Sequence, residues 1–298
     1  MFDRILVPLD GSKLAEQVFP YVTELARAFG SEVILIEVCE PEESQYEHTC
    51  EIYLSTVAEQ LGSNIEEGAG TVKVRAVVLV GRPAEEIVSY AEKNDISLII
   101  MTSHGRSGIM PQCLGSTAYK VLQRVVIPSM VVRVIEPLAE SSKDGLFGRI
   151  LVPLDGSERA EAVLPYVMEL MRKLNSEVIL LQVVASGKHV HTIGGLDYVY
   201  FGDRDADSMK ISTQKYLGKV RTRLVGKKDS IRCEVRTGDP VREIVKCANE
   251  TDSRLIAISS HGHSGIERWA YGSVTYKILQ SSNQAVLVAR SVIREQKH

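Results

Sequence analysis

The sequence predicts an α/β fold built twice, as two tandem open parallel five-stranded sheets with helices on both faces. Three observations predict it. Short runs of branched apolar residues alternate with segments whose apolar positions recur every three or four residues, the alternation expected of parallel strands and crossover helices. The chain has 298 residues, about two ordinary domains. Residues 2–12, FDRILVPLDGS, return as residues 147–157, FGRILVPLDGS, and differ only at Asp3 and Gly148.

The elements follow in order. Arg4 to Leu9 is a short apolar run ended by Asp10-Gly11-Ser12, the pattern of a strand buried on both faces and closed by a turn. Leu14, Val18, Val22, Leu25, Ala26 and Phe29 line one face of a helix that Gly30 stops. Val33 to Val38 reads as the second strand, Ile52 to Leu61 as a helix and Val72 to Val80 as the third strand. A helix then opens on Pro83 and runs to Lys93, because proline is suited to a first turn. Leu98 to Met101, Ser116 to Arg124 and Met130 to Val134 are expected as strand, helix and strand.

The second copy repeats this order. It aligns at an offset of 145 through its second strand, and at 157 (Gly238 against Gly81) from its third. Twelve extra residues therefore fall between those strands. A repeat this long is a domain duplication, since solenoid repeats are about 20–50 residues. The polar stretch Pro137 to Gly145 reads as a connection, giving domains 1–137 and 147–298 with a linker at 138–146. The fifth strands, Met130 to Val134 and Ala285 to Ala289, are apolar and expected at sheet edges, where the two copies can pair with each other as an intrachain pseudo-dimer.

Composition removes several classes of function. Lys plus Arg number 35 against 38 Asp plus Glu, a formal charge of −3, which argues against a broad nucleic-acid surface. At 44% hydrophobic and 24% charged, the chain has the composition of a globular protein rather than a disordered one. The longest apolar runs, Val33 to Ile36 and Leu98 to Met101, fall far short of the ~20 residues of a membrane helix. The N-terminus carries Asp3, with no basic region or cleavage site, so a cytoplasmic location is expected. Cys39, Cys50, Cys113, Cys233 and Cys247 show no CxxC spacing and read as structural thiols.

In an open parallel sheet a ligand sits outside the carboxyl ends of the strands, where strand order reverses. That rule selects the turns at Asp10 and Asp155 and the loops 102–116 and 259–273. Each loop is glycine-bearing and ends in Gly-Ser at a helix start: Gly105 to Gly115-Ser116, and Gly262 to Gly272-Ser273. Glycine allows close backbone approach, a serine at a helix start can cap N–H groups or bond an anion, and the helix start itself favours negative charge. An ordinary glycine-rich connection with a serine cap explains the same residues. The carboxylates of Asp10 and Asp155 suit ribose hydroxyls or a hydrated Mg²⁺, and equally a turn bond to their own backbone.

Arg106 follows Gly105 and can reach a phosphate or remain solvated; its counterpart is His263. His104 and His261 have no evident carboxylate partner, which favours packing or hydrogen bonding within the loop over a role as general base. The segment Ala185 to Met209 contains His189, His191, Asp203, Asp205 and Asp207. It lacks the glycine and closing glutamate of a calcium loop and reads as a solvated, mobile loop.

Over essentially its whole length, each copy resembles a universal stress protein domain of the ATP-binding type. The resemblance rests on the ILVPLDGS opening, the Ser-His-Gly loop, and the nine residues that lie between Gly105 and Gly115-Ser116 and between Gly262 and Gly272-Ser273. Thr102 and Ser259 stand where that family's motif begins with glycine. The resemblance implies a Rossmann-like fold of the adenine nucleotide alpha hydrolase-like kind, with ATP and Mg²⁺ as ligands. Pro8, Asp10, Val38, Thr102, His104, Gly105, Arg106, Gly115 and Ser116 would form the first site. Pro153, Asp155, Val183, Ser259, His261, Gly262, Gly272 and Ser273 would form the second. It further implies a nucleotide-responsive regulator with at most slow hydrolysis, homodimeric, without a nucleic-acid or membrane partner. A scaffold of the same fold without ligand is the alternative. An adenylyl-transferring enzyme would need a SGGxDS segment after the first strand, which the sequence lacks.

Overall fold

A computed structural model describes residues 1–42, 47–66, 72–105, 114–133, 145–184, 203–224, 230–262 and 271–290, with the backbone alone over 203–207. The first half contains strands β1 (Arg4–Leu9), β2 (Glu32–Cys39), β3 (Val74–Val80), β4 (Leu98–Thr102) and β5 (Ser129–Val132). Its helices are α1 (Phe19–Phe29), α2 (Glu47–Glu66), α3 (Pro83–Lys93) and α4 (Ser116–Arg124). The second half repeats them as β6 (Arg149–Pro153), β7 (Glu177–Val184), β8 (Ile231–Thr237), β9 (Leu255–Ser259) and β10 (Ala285–Ala289). Its helices are α5 (Leu164–Leu174), α6 (Asp203–Arg223), α7 (Pro240–Glu250) and α8 (Ser273–Ser281).

All ten strands join one sheet, ordered β3-β2-β1-β4-β5-β10-β9-β6-β7-β8. Within each half every pairing is parallel; β5 and β10 meet antiparallel, with Met130 opposite Leu287. The strands expected at edges thus cover each other, and the two sheets are halves of one. One apolar layer, with Phe2, Leu25, Leu54, Phe147, Leu170 and Leu217, lies beneath α1, α2, α5 and α6. The opposite layer, with Leu6, Ile87, Leu122, Leu151, Ile244 and Leu279, lies beneath α3, α4, α7 and α8. Aromatic pairs cross between halves: Tyr21 stands edge-on to Phe147 at 5.8 Å between ring centroids, and Phe2 meets Tyr166 at 6.0 Å.

Several boundaries depart from the sequence expectation. The first helix is divided into a 3₁₀ turn, Ala15–Val18, and α1, whose second residue is Pro20. Proline fits the first turn, where no intrahelical N–H donor is required, but disfavours a continuous helix through the preceding residues. Gly30 closes α1 in the left-handed region at φ 67°, and Asn175 does so for α5 at φ 55°.

The region Ala185 to Met209 is not all loop. α6 begins at Asp203, so Asp203, Asp205 and Asp207 lie in a helix, while His189 and His191 fall outside the described residues. The helices also resolve the twelve-residue difference. Tyr53 and Tyr216 make the same bond to Glu16 and Glu161, which sets α6 against α2 at an offset of 163 (Tyr216 against Tyr53). The second half is therefore 18 residues longer before this helix (163 against 145) and 6 shorter after it (163 against 157).

Candidate functional site

Strand order reverses between β1 and β4, and again between β6 and β9, and a cleft opens at the carboxyl end of each pair. The first cleft measures about 230 Å³ and the second about 250 Å³. Pro8, Asp10, Val38, Thr102, His104, Gly105, Gly115 and Ser116 all line the first. Pro153, Asp155, Val183, Ser259, His261, Gly262, Gly272 and Ser273 all line the second. Arg106 and His263 lie outside the described residues.

Each aspartate is built into its turn and turned to the cleft together. Asp10 Oδ1 accepts from the Ser12 amide at 3.1 Å and the Ser12 hydroxyl at 2.6 Å. Asp155 Oδ1 accepts from Ser157 in the same way, at 2.9 and 2.7 Å. The second oxygen lies against glycine: a Cβ at Gly105 would overlap Asp10 Oδ2, and one at Gly262 would overlap Asp155 Oδ2. The two alternatives for this aspartate are thus compatible, one oxygen serving the turn and the other facing the glycine loop. Ser12 and Ser157 were not singled out from sequence, although Asp-Gly-Ser carries the turn chemistry that places them.

The loop after β4 is closed from within. The Gly115 amide donates to the Ser103 carbonyl at 2.8 Å, and Gly272 to Ser260 at 2.8 Å. These two amides are committed to the loop and do not face a ligand. Gly115 and Gly272 are also the N-caps of α4 and α8, and neither helix start has a side-chain cap. Ser116 and Ser273 are therefore first-turn residues and not the capping serines that the sequence suggested. An uncapped first turn leaves N–H groups and the positive end of the helix dipole at the cleft.

The residues in place of the motif's first glycine behave differently in the two halves. The Thr102 hydroxyl donates to the His104 carbonyl at 2.7 Å and braces its loop. Ser259, 3% exposed, has no partner for its Oγ among the described residues. His104 Nδ1 lies 3.0 Å from Ser103 Oγ, and His261 Nδ1 lies 3.0 Å from Ser260 Oγ. Each imidazole is thus bonded to its neighbouring serine within the loop.

The far wall comes from α3 and α7, through Pro83 and Ile87 in one half and Pro240 and Ile244 in the other. Sequence reasoning placed these helices without assigning them to a site, though the repeated Gly-x-Pro before each was a signal. Nearby, Tyr53 and Tyr216 close one side of α2 and α6. Burial and the adjacent Glu16 and Glu161 carboxylates push both phenols well above their ordinary pKa. Among the described residues no cluster of His, Cys, Asp and Glu suits a metal ion, and no helix is long and apolar enough to cross a membrane.

Comparison with known proteins agrees with this architecture. The model of the universal stress protein family matches residues 1–133 and 146–290. Universal stress protein MJ0531 of Methanocaldococcus jannaschii is 31% identical over 142 residues, covering 45% of this chain and 83% of its own. Universal stress protein MJ0577 of the same organism is 29% identical over 155 residues, covering 45% and 96%. The crystal structure of a universal stress protein from Archaeoglobus fulgidus superposes over 97% of this chain and 99% of its own. Its TM-score is 0.69 at 20% identity, a likeness of fold. With both halves matched, the chain belongs to the universal stress protein family.

Proposed function

We propose that this chain binds an adenine nucleotide, ATP, in one or both clefts, and that occupancy changes the surface it presents as a regulator in a stress response. The observation that carries this reading is the pairing, found twice, of an aspartate oxygen facing the glycine loop with an uncapped helix start across the cleft. The Asp10 and Asp155 carboxylates suit ribose hydroxyls, or a hydrated Mg²⁺ accompanying the phosphates. The chain beside Val38 and Val183 would meet the base. The first turns of α4 and α8, with Ser116 and Ser273, would take the phosphate tail. At 230 and 250 Å³ the clefts suit the nucleoside, with the tail running along the open rim.

The described lining joins apolar walls, with Val38 and Ile87 in one cleft and Val183 and Ile244 in the other, to carboxylate, hydroxyl, imidazole and backbone groups, which suits holding a nucleotide. The reading includes a homodimer of whole chains and a cytoplasmic site of action. ATP titration followed by thermal unfolding tests it. Ligand at one hundred times its dissociation constant adds about 2.7 kcal/mol. Asp10→Asn with Asp155→Asn keeps an oxygen for each turn and should remove most of the shift. An unmoved transition at millimolar ATP overturns nucleotide binding and leaves an interaction scaffold.

A further inference from the structure

Three side chains outside both clefts form a chemical group that the nucleotide reading does not use. Glu37 and Cys39 point from β2 into the layer beneath α2, and Cys50 comes down from the first turns of α2. The sulfurs of Cys39 and Cys50 are 2.9 Å apart, and the Glu37 carboxylate is within hydrogen-bonding reach of the Cys50 thiol. Ten residues separate the two cysteines, a spacing with no sequence signature.

Both thiols are held in register by the fold. The Cys39 carbonyl accepts from the Gly81 amide at 3.0 Å. α2 is anchored by buried Leu54, Val57 and Leu61 and by the Tyr53 bond to Glu16. A disulfide needs about 2.05 Å between sulfurs, so closure asks for a movement of somewhat under about 1 Å.

The second half is an internal comparison. At the offsets fixed above, Gln182, Val184 and Thr213 occupy the positions of Glu37, Cys39 and Cys50. Val184 and Thr213 are buried as the thiols' counterparts, and the Val184 carbonyl accepts from Gly238 as Cys39 accepts from Gly81. The same packing is therefore achieved without sulfur or charge. Two thiols are not required to fill this place, and their juxtaposition in one half alone has a chemical meaning.

We propose that Cys39 and Cys50 are a redox site, converted to an intrachain disulfide by hydrogen peroxide. Cys39 is 2% exposed, whereas Cys50 is only partly covered and is the sulfur an oxidant reaches. Cys50, as thiolate, attacks one peroxide oxygen; the S–O bond forms, the O–O bond breaks, and the departing oxygen leaves as water with the thiol's proton. Cys39 then attacks the Cys50 sulfur; the S–S bond forms, the S–O bond breaks, and the second oxygen leaves as water with the Cys39 proton. Two electrons pass from the thiols to the peroxide, and the products are one disulfide and two waters.

The resting state is protected. Burial, then the contact with Cys39 and the charge of Glu37, pushes the Cys50 thiol up to about 12. A raised thiol pKa slows the first attack, because the thiolate is the nucleophile.

The site does not depend on nucleotide, so its test and the ATP titration fail separately. The full-length protein is treated with hydrogen peroxide, quenched with catalase, unfolded in N-ethylmaleimide and digested with trypsin. Residues 28–73 contain both cysteines and no lysine or arginine before Lys73, and every other cysteine falls on a different tryptic peptide. The expected result is a 28–73 peptide without maleimide and lighter by two hydrogens, restored to two maleimides by prior dithiothreitol. Cys50→Thr, the second half's own solution, should leave Cys39 alkylated after the same treatment. A wild-type peptide with two maleimides under conditions that oxidise the exposed Cys233 overturns the proposal, as does a link from Cys39 to any other cysteine.

Discussion

The Tyr271 hydroxyl donates to the carbonyl of Leu122 at 2.6 Å, tying the residue before one glycine-serine pair to the end of the helix that starts at the other. Leu122 is in the last turn of α4, where carbonyls lack intrahelical partners. Arg290 donates to the next carbonyl, Gln123, at 2.5 Å. The position matching Tyr271 in the first half is Leu114, so the hydroxyl tie runs in one direction only, whereas Arg133 returns the arginine bond on the Gln280 carbonyl. Tyr119 and Tyr276 add an edge-on ring contact at 5.9 Å between α4 and α8.

Tyr271→Phe should therefore cost about 1–2 kcal/mol, because it leaves a helix-end carbonyl without its donor in a buried seam. Chemical denaturation measures this. If both clefts bind ATP, the same variant should alter the affinity of the first cleft although Tyr271 lies in the second half of the chain. Isothermal titration of wild type and variant checks that difference.

Glycine substitutions should separate the two loops. A Cβ at Gly115 would stand 3.0 Å from the Ser103 carbonyl, whereas one at Gly272 would stand 3.5 Å from that of Ser260. Gly115→Ala should destabilise by about 1 kcal/mol or more through overpacking, and Gly272→Ala by little. Paired unfolding curves decide it; equal losses would contradict the difference in fit.

Gly105→Ala and Gly262→Ala act on the site instead. The added methyl displaces Asp10 or Asp155 from the glycine loop, while neither glycine requires a positive φ. Stability should change by less than about 2 kcal/mol, since the aspartate's turn bonds can persist after its side chain shifts. ATP-dependent stabilisation should fall sharply, which thermal shifts with and without ATP report.

Tyr53 and Tyr216 predict an alkaline limb in stability. Both phenols have pKa values raised in the folded state, by burial first and then by Glu16 or Glu161. Above pH ~10 the unfolded chain loses these protons while the folded chain retains them, so stability is full below that pH and declines above it. Tyr53→Phe with Tyr216→Phe should flatten the decline between pH ~10 and ~12, at a cost near neutral pH of about 1 kcal/mol per lost bond. Urea midpoints across that range provide the measurement.

Much of the fold was legible because its signals are local. α3 and α4 match the predicted limits, since Pro83 opens one and Gly115-Ser116 opens the other. The duplication exposed both clefts at once, because the same Asp-Gly-Ser and Ser-His-Gly segments appear at the ends of corresponding strands. What was hidden depends on distance. The break before α1 reflects competition between apolar spacing and Pro20. The fate of the Gly115 amide depends on the Ser103 carbonyl across the loop, and the meeting of Cys39 with Cys50 depends on how α2 lies over β2. Both partners of each contact fall within a short stretch of sequence, but only the path of the chain between them brings them together.

The antiparallel join of β5 to β10 has a consequence for how such a molecule changes. Two identical subunits meeting on that seam must accept every substitution in duplicate. Covalent fusion lifts that restriction, so sulfur chemistry can enter one lobe while its twin keeps threonine and valine, and a hydroxyl clasp can reach across the midline from one side alone. Pseudo-symmetry here allows division of labour, with each lobe free to specialise against the fixed background of the other.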